Sequence, residues 1–250
     1  MSPSRSLPGL RGLSLLVIVA GWQLLAWIVD GDLLPPPSEV AIRLWAEGVS
    51  GELAHHLAIT LGRVAASFAI AMAVGTAIGM AMGSSLRLDR ALDAALILGL
   101  NIPALVTIIL CYVWFGLNEV AAVMAVSLNK IPTVVVTVRE GAKAVDRGLM
   151  EVAQVYRIGP ARTFTKVYLP QLAPYTMAAA RSGLALIWKI VLVVELLGRS
   201  DGVGFQFGTF FQFFDIEGIL AYTIAFAVLI LLLESLVMRP LDRRFGGWRR

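Results

Sequence analysis

Four ionisable side chains stand inside long apolar stretches: Lys130, Arg181, Lys189 and Glu195. A charge at membrane depth is expensive, so such groups face a partner or an aqueous cavity, the usual surroundings of a solute path. At 100° per residue, Arg181 and Glu195 fall about 40° apart on one helix, and Lys189 lies about 80° from Arg181 on the other side. The three therefore cannot all face lipid. Arg181 and Glu195 sit nearer the ends of their stretch, where snorkelling is the alternative reading, and Lys189 is the deepest. Asn101 with Pro103, and Asn129 with Lys130 and Pro132, interrupt two further stretches. A proline inside a span frees a backbone carbonyl. These positions read either as a lined path or as kinks whose polar groups are satisfied in the bundle. Lys130, Arg181 and Lys189, as cations in low dielectric, suit an anionic or zwitterionic solute.

The composition says what must hold these residues. The chain has 250 residues, 58% hydrophobic and 15% charged, with a mean hydropathy of +0.79. Soluble domains are roughly a quarter charged, so a water-soluble enzyme of this size is excluded, as are disorder and a disulfide scaffold, Cys111 being the single cysteine. The expectation is one all-α integral membrane unit over residues 1–250. An N-terminal span and outer segment occupy 1–56, a core 57–238, and a long inner loop 139–174.

Six apolar runs approach the roughly 20 residues that cross a bilayer: Leu13 to Val29, the uncharged stretch Val64 to Met82 entered near Leu57, Ala91 to Phe115, Val120 to Val138, Pro174 to Gly198 and Gly218 to Met238. The first follows Arg5 and Arg11 but carries Trp22 and Trp27 and no small-residue cleavage site, so it reads as a retained helix rather than a signal peptide. With the N-terminus inside, 15 of the 21 basic residues fall on inner segments, whereas the outer side collects acids such as Asp30, Asp32, Glu47, Glu119, Asp201 and Asp215. Both termini are thus expected to be cytoplasmic. The net charge of +4 reads as topology, and nucleic acid is not needed to explain it.

In the second run Ser67, Ala71, Gly75, Gly79 and Gly83 recur every four residues, a stripe that lets another helix approach closely. From Arg139 to Pro174 the inner loop carries six basic and three acidic side chains. Asp146 is placed to cap a short helix with Leu149, Val152, Ala153 and Tyr156 on one face and Arg147, Glu151, Gln154 and Arg157 on the other. Gly159-Pro160 is expected to break it and Leu169-Pro170 to end the loop. The helix suits either contact with a soluble partner or a position on the membrane surface.

Here the chain resembles the permease subunits of bacterial ABC importers. Glu151-Val152-Ala153 and Leu169-Pro170 stand at the spacings of their loop signature. Leu33 to Ser38 (LLPPPS), His56 to Arg63 (HLAITLGR), Trp114-Phe115-Gly116, Leu169 to Pro174 (LPQLAP), Glu195 to Gly198 (ELLG) and Gly202 to Phe205 (GVGF) are similar to the nitrate/sulfonate/taurine/bicarbonate subfamily. The resemblance implies a type I importer permease fold of six transmembrane helices in a bacterial inner membrane. It implies a second permease copy, two cytoplasmic ATPase subunits that bind the ATP, and an extracytoplasmic binding protein. It makes the helix around Glu151 to Arg157 a coupling helix, with Gly159, Leu169 and Pro170 completing its loop. No cofactor, metal or catalytic residue is expected in this chain. Arg157 departs from the family's usual Gly, and since Arg does not enter a left-handed turn cheaply, the break is expected to shift to Gly159-Pro160.

Other readings are an ion-coupled carrier or channel using Lys189 and Glu195, and a scaffold whose loop recruits another protein. His55 and His56, lacking zinc-site spacing, are read as interfacial anchors, and Cys111 as a packing residue. The six phenylalanines from Phe205 to Phe214 are read as interfacial packing, an outer gate or a docking surface.

Overall fold

A computed structural model describes residues 8–29, 33–238 and 240. Arg5, Asp30, Asp32, Arg239, Arg243, Arg244, Arg249 and Arg250, which entered the charge pattern above, lie outside these, as does the side chain of Arg11. Among the described residues the chain is helical throughout, with no strand. The helices are α1 (Pro8–Val29), α2 (Pro37–Ser50), α3 (Glu52–Ser84), α4 (Leu86–Asn101), α5 (Ala104–Phe115), α6 (Glu119–Lys143), α7 (Arg147–Val155), α8 (Pro160–Thr163), α9 (Leu169–Gly198), α10 (Val203–Gln212) and α11 (Ile216–Leu233). Side chains cap several starts: Asn118 accepts from Ala121 N–H at 2.9 Å, Asp146 from Gly148 N–H at 2.7 Å, and Asp215 from Gly218 N–H at 2.8 Å, satisfying donors that a helix leaves open.

Among the described residues, four stretches are long and apolar enough to cross a membrane: Glu52–Ser84, Glu119–Lys143, Pro160–Gly198 and Ile216–Leu236. The expected third span is not one straight helix. It bends by 97° between α4 and α5, because Pro103 cannot donate to the α4 ladder and instead starts α5. Counting that pair as one span gives five, and the described part of α1 contributes a shorter apolar helix, Leu16–Val29. Pro132, by contrast, stays inside an unbroken α6. Its ring lies against α4, where a Cβ on Gly99 would come within 2.9 Å of Pro132 Cγ.

Helices α3 and α6 share the largest interface, and α9 packs next to both. Close approach requires the glycine stripe: a Cβ on Gly75 would meet Val134 Cβ at 2.7 Å, one on Gly79 would meet Val135 O at 2.9 Å, and one on Gly83 would strike Ala142. In a bilayer such packing contacts, rather than exclusion of water, hold helices together. The principal core joins Val64, Ile108, Cys111, Ala125, Ile187, Trp188 and Tyr222.

Leu169-Pro170 does not end the loop as expected. Five residues of π-helix, Phe164–Tyr168, link α8 to α9, and Leu169 N–H donates to Phe164 O. Pro170 lacks the N–H that would continue an α-helical ladder, and the wider π turn accommodates it without breaking the rod.

Candidate functional site

Three groups of residues carry the chemistry, and the inner loop is the first. α7 buries only Ala153; Leu149, Val152, Val155 and Tyr156 are exposed, as are Glu151, Gln154 and Arg157. An amphipathic helix thus presents its apolar side outward. Its start is tied to α9, and its other end is closed by its own backbone. Asp146 N–H donates to Gln171 Oε1 at 2.8 Å, and Gln171 Nε2 donates to Val167 O at 3.0 Å. At the other end Arg157 N–H donates to Gln154 O and Ile158 N–H to Ala153 O, both at 2.9 Å, the paired bonds of a Schellman cap. Here the structure corrects the sequence expectation. Arg157 itself takes the left-handed position, at φ +52°, because the two cap bonds satisfy carbonyls that would otherwise be orphaned. Gly159 keeps ordinary φ of −59° and precedes α8.

The second group lies at the opposite end of the bundle. His56, Thr60 and Arg63 recur at i, i+4 and i+7 on α3, and all three are buried. Arg63 is enclosed by carboxylates. Its Nε and Nη2 donate to Glu119 at 2.7 and 3.0 Å, and its Nη1 donates to Glu195 Oε1 at 2.9 Å and to Asp201 O at 2.8 Å. Nη2 also pairs with the Asp201 carboxylate. Glu195, fully buried, accepts further from Thr60 at 2.9 Å and from Gly204 N–H at 2.8 Å. Val203 N–H donates to Thr60 Oγ1, and Gly202 N–H to His56 Nδ1 at 3.0 Å. Arg199 adds a pair with Glu119 at 2.9 Å. Glycine is required where the chain folds over Glu195: a Cβ on Gly202, at φ +102°, would collide with its carboxylate, and one on Gly204 with Leu192 O. In the loop after α9, burial pushes the Asp201 carboxyl up, and the Arg63 guanidinium outweighs it, holding the group below the usual carboxylate range.

Two sequence readings change here. Glu195 does not snorkel, since it is sealed beneath α10. His56 is not an interfacial anchor but an interior acceptor, while His55 is exposed. Sequence reasoning passed over Arg63 and Thr60. The signal was present in their shared face with His56 and in the distribution of three recognised segments: HLAITLGR, ELLG and GVGF meet in this one network.

The third group is scattered. Lys130 is 1% exposed and its Nζ has no hydrogen-bond partner. Asn129 beside it is half-buried. Lys189 opens outward from α9, and Arg181, also exposed, lies 3.9 Å from Glu234. Asn101 is exposed at the end of α4, its Nδ2 donating to Ile97 O at 2.8 Å, with Pro103 just beyond. The structure does not bring these residues into one cavity. No cluster of His, Cys, Asp or Glu able to hold a metal occurs among the described residues.

An all-helical bundle with several membrane-length apolar helices, a charge-locked cluster at one end and an exposed amphipathic helix at the other defines a polytopic membrane subunit. The chain belongs to the family of binding-protein-dependent transport system inner membrane components, which it matches over residues 71–246; it is a permease subunit and a multi-pass inner-membrane protein. It is 33% identical over 235 residues to the putative aliphatic sulfonates transport permease protein SsuC of Bacillus subtilis (strain 168), covering 93% of this chain and 85% of that protein. Its identity to the SsuC of Escherichia coli (strain K12) is 34%, covering 85% and 81%. The taurine transport system permease protein TauC of the latter organism is 28% identical, covering 94% and 88%. In fold the chain is similar to a chain of an amino acid ABC transporter crystallised with histidines, at a TM-score of 0.64 and 21% identity over 80% of this chain and 97% of that one. It is likewise similar to a chain of the MetNI methionine ABC transporter in inward facing conformations, at 0.62 and 20%, over 76% and 93%.

Proposed function

We propose that the chain forms one half of the translocation path of an ATP-driven importer for a small anionic or zwitterionic solute of the sulfonate or taurine kind. It crosses the membrane six times, counting α1 and the bent α4–α5 pair, with both termini cytoplasmic. A second copy completes the path, two ATPase subunits bind ATP, and an outer binding protein delivers the solute. Asn101, Asn129, Lys130, Arg181 and Lys189 are the path candidates. Glu195 holds the outer end closed rather than meeting solute.

The carrying observation is α7. Its apolar side chains Leu149, Val152, Val155 and Tyr156 face outward from a helix whose start is tied to α9 through Asp146 and Gln171, which is what transmission of a push from a soluble motor needs. A helix free to swivel would absorb the motion. An ATPase closing on this helix would move α9, since α8 and the π segment run into it without a break. Membrane-surface packing explains the apolar face but not the tie to α9.

The test is Glu151→Arg in the complex purified with its ATPase partners. Charge reversal on the exposed face is expected to weaken assembly and lower solute-stimulated ATP hydrolysis at least tenfold. Unchanged assembly and hydrolysis would remove α7 from the coupling path.

A further inference from the structure

Among the described residues, Lys130 presents a buried ammonium group with no partner. It lies near the middle of α6, between the seam with α3 and the seam with α9. The acidic residues of these three helices are Glu52 on α3, Glu119 and Glu140 on α6, and Glu195 on α9. Each is engaged elsewhere: Glu52 beside His56, Glu119 and Glu195 on Arg63, and Glu140 on Arg139. Along α6 both acids stand roughly 15 Å or more from Lys130 at 1.5 Å per residue. A buried charge without a partner is costly, and a helix could place methionine there at no such cost.

The surroundings fit a lysine that is kept for something else. Gly183 of α9 leaves a notch for its tip, since a Cβ there would come within 3.1 Å of Lys130 Cε and 3.8 Å of Phe68 Cε2. The Phe68 ring also lines a cleft of about 440 Å³ between α3 and α9. That cleft's wall includes Leu61, Met72, Ala180, Leu184 and Trp188, and is almost wholly apolar. Gly183 stands in the α9 turn between Ala180 and Leu184, so Phe68 and this turn border both the lysine's notch and the cleft.

We propose that Lys130 is a specificity-determining residue of the permease itself: its ammonium pairs with the anionic end of an organic solute whose apolar body occupies the Phe68–Trp188 cleft. The pairing rests on the transport reading above and deepens it. The solute supplies the counter-ion that the fold omits, and the apolar wall rewards a carbon chain. A small inorganic anion would surrender its hydration to the same wall with nothing to replace it.

The experiment reads binding without ATP. The permease, assembled with its partner subunits in nanodiscs, is titrated with 6-bromohexane-1-sulfonate and with (6-bromohexyl)trimethylammonium, while tryptophan fluorescence is recorded. Bromine in the cleft quenches Trp188, and Trp188→Phe identifies that component. The sulfonate is expected to half-saturate at a concentration at least tenfold lower than the ammonium probe. Lys130→Met is expected to abolish that preference while leaving neutral 1-bromohexane quenching as before, a selectivity that a merely structural lysine would not show. Equal affinity for the two charged probes in the wild-type protein, or an unchanged preference in Lys130→Met, overturns the proposal. The wild-type comparison decides even where the variant does not assemble. Uptake that proceeds without ATP would overturn the transport reading and leave this binding result standing.

Discussion

Arg63 and Lys130 are both basic, both almost fully buried and both seated between α3, α6 and α9, yet their surroundings are opposites. Arg63 has three carboxylates, a backbone carbonyl and a neighbouring Arg199 arranged about it. Lys130 has none. The planar guanidinium can satisfy several carboxylates at once, whereas an ammonium is a point charge that one anion can satisfy. One cation is therefore part of the architecture, tying three helices and the loop after α9 together at one end of the bundle. The other is chemistry left open in the middle.

Removing each charge should separate the two roles. Arg63→Met leaves Glu195 fully buried with its counter-charge gone, which costs about 3–5 kcal/mol when one partner of a buried pair is lost. Reversible unfolding in mixed micelles should report that loss, and pairing the change with Glu195→Gln should recover part of it. An Arg63→Met protein as stable as wild type would mean that the Arg63 network is ornamental and the contrast false. Lys130→Met should move the other way. With no partner stranded, deleting the charge is expected to stabilise the ligand-free protein by about 1 kcal/mol or more, and a loss of similar size would show that a partner had been removed.

The contrast also explains what was legible in the sequence. Helices, the small-residue stripe, the Asp146 cap and the apolar runs are local patterns, and local patterns survive in one dimension. The Arg63 network joins residues more than 130 positions apart, such as Thr60 with Glu195, so no periodicity displays it. Only the recognised segments hinted at it, and they did not say that they meet. The bend at Pro103 and the unbroken α6 at Pro132 show the same limit: one residue type gives two outcomes that the local sequence does not tell apart. The π turn before Pro170 is a third outcome.

Arg157 adds a basic residue whose cost lies in the backbone rather than in its charge. Holding a non-glycine side chain at φ +52° costs of the order of 1 kcal/mol, and the Schellman bonds impose it. Arg157→Gly should therefore stabilise the loop by about 1 kcal/mol, visible as slower proteolysis between α7 and α8. If ATPase affinity falls at the same time, the guanidinium serves the interface and the strain is retained for it. Unchanged affinity would make Arg157 a tolerated substitution with no interfacial role.

The smallest effect should come from acid. Asp201 sits at the rim of the Arg63 network with its carboxyl held below the ordinary value of 3.8. A depressed carboxyl contributes stability that is complete above its unfolded value and is lost as pH falls through its lower folded value. Unfolding midpoints should thus be level at neutral pH and fall below about 4, the ordinary carboxylate range. Asp201→Asn should remove its share of that slope without touching the Lys130 site. Because the Asp201 side chain is 31% exposed, solvent screens the pair and the shift should be well short of that for Arg63→Met. A slope unchanged in Asp201→Asn would assign the acid sensitivity to Glu119, the other carboxylate of the network that solvent reaches.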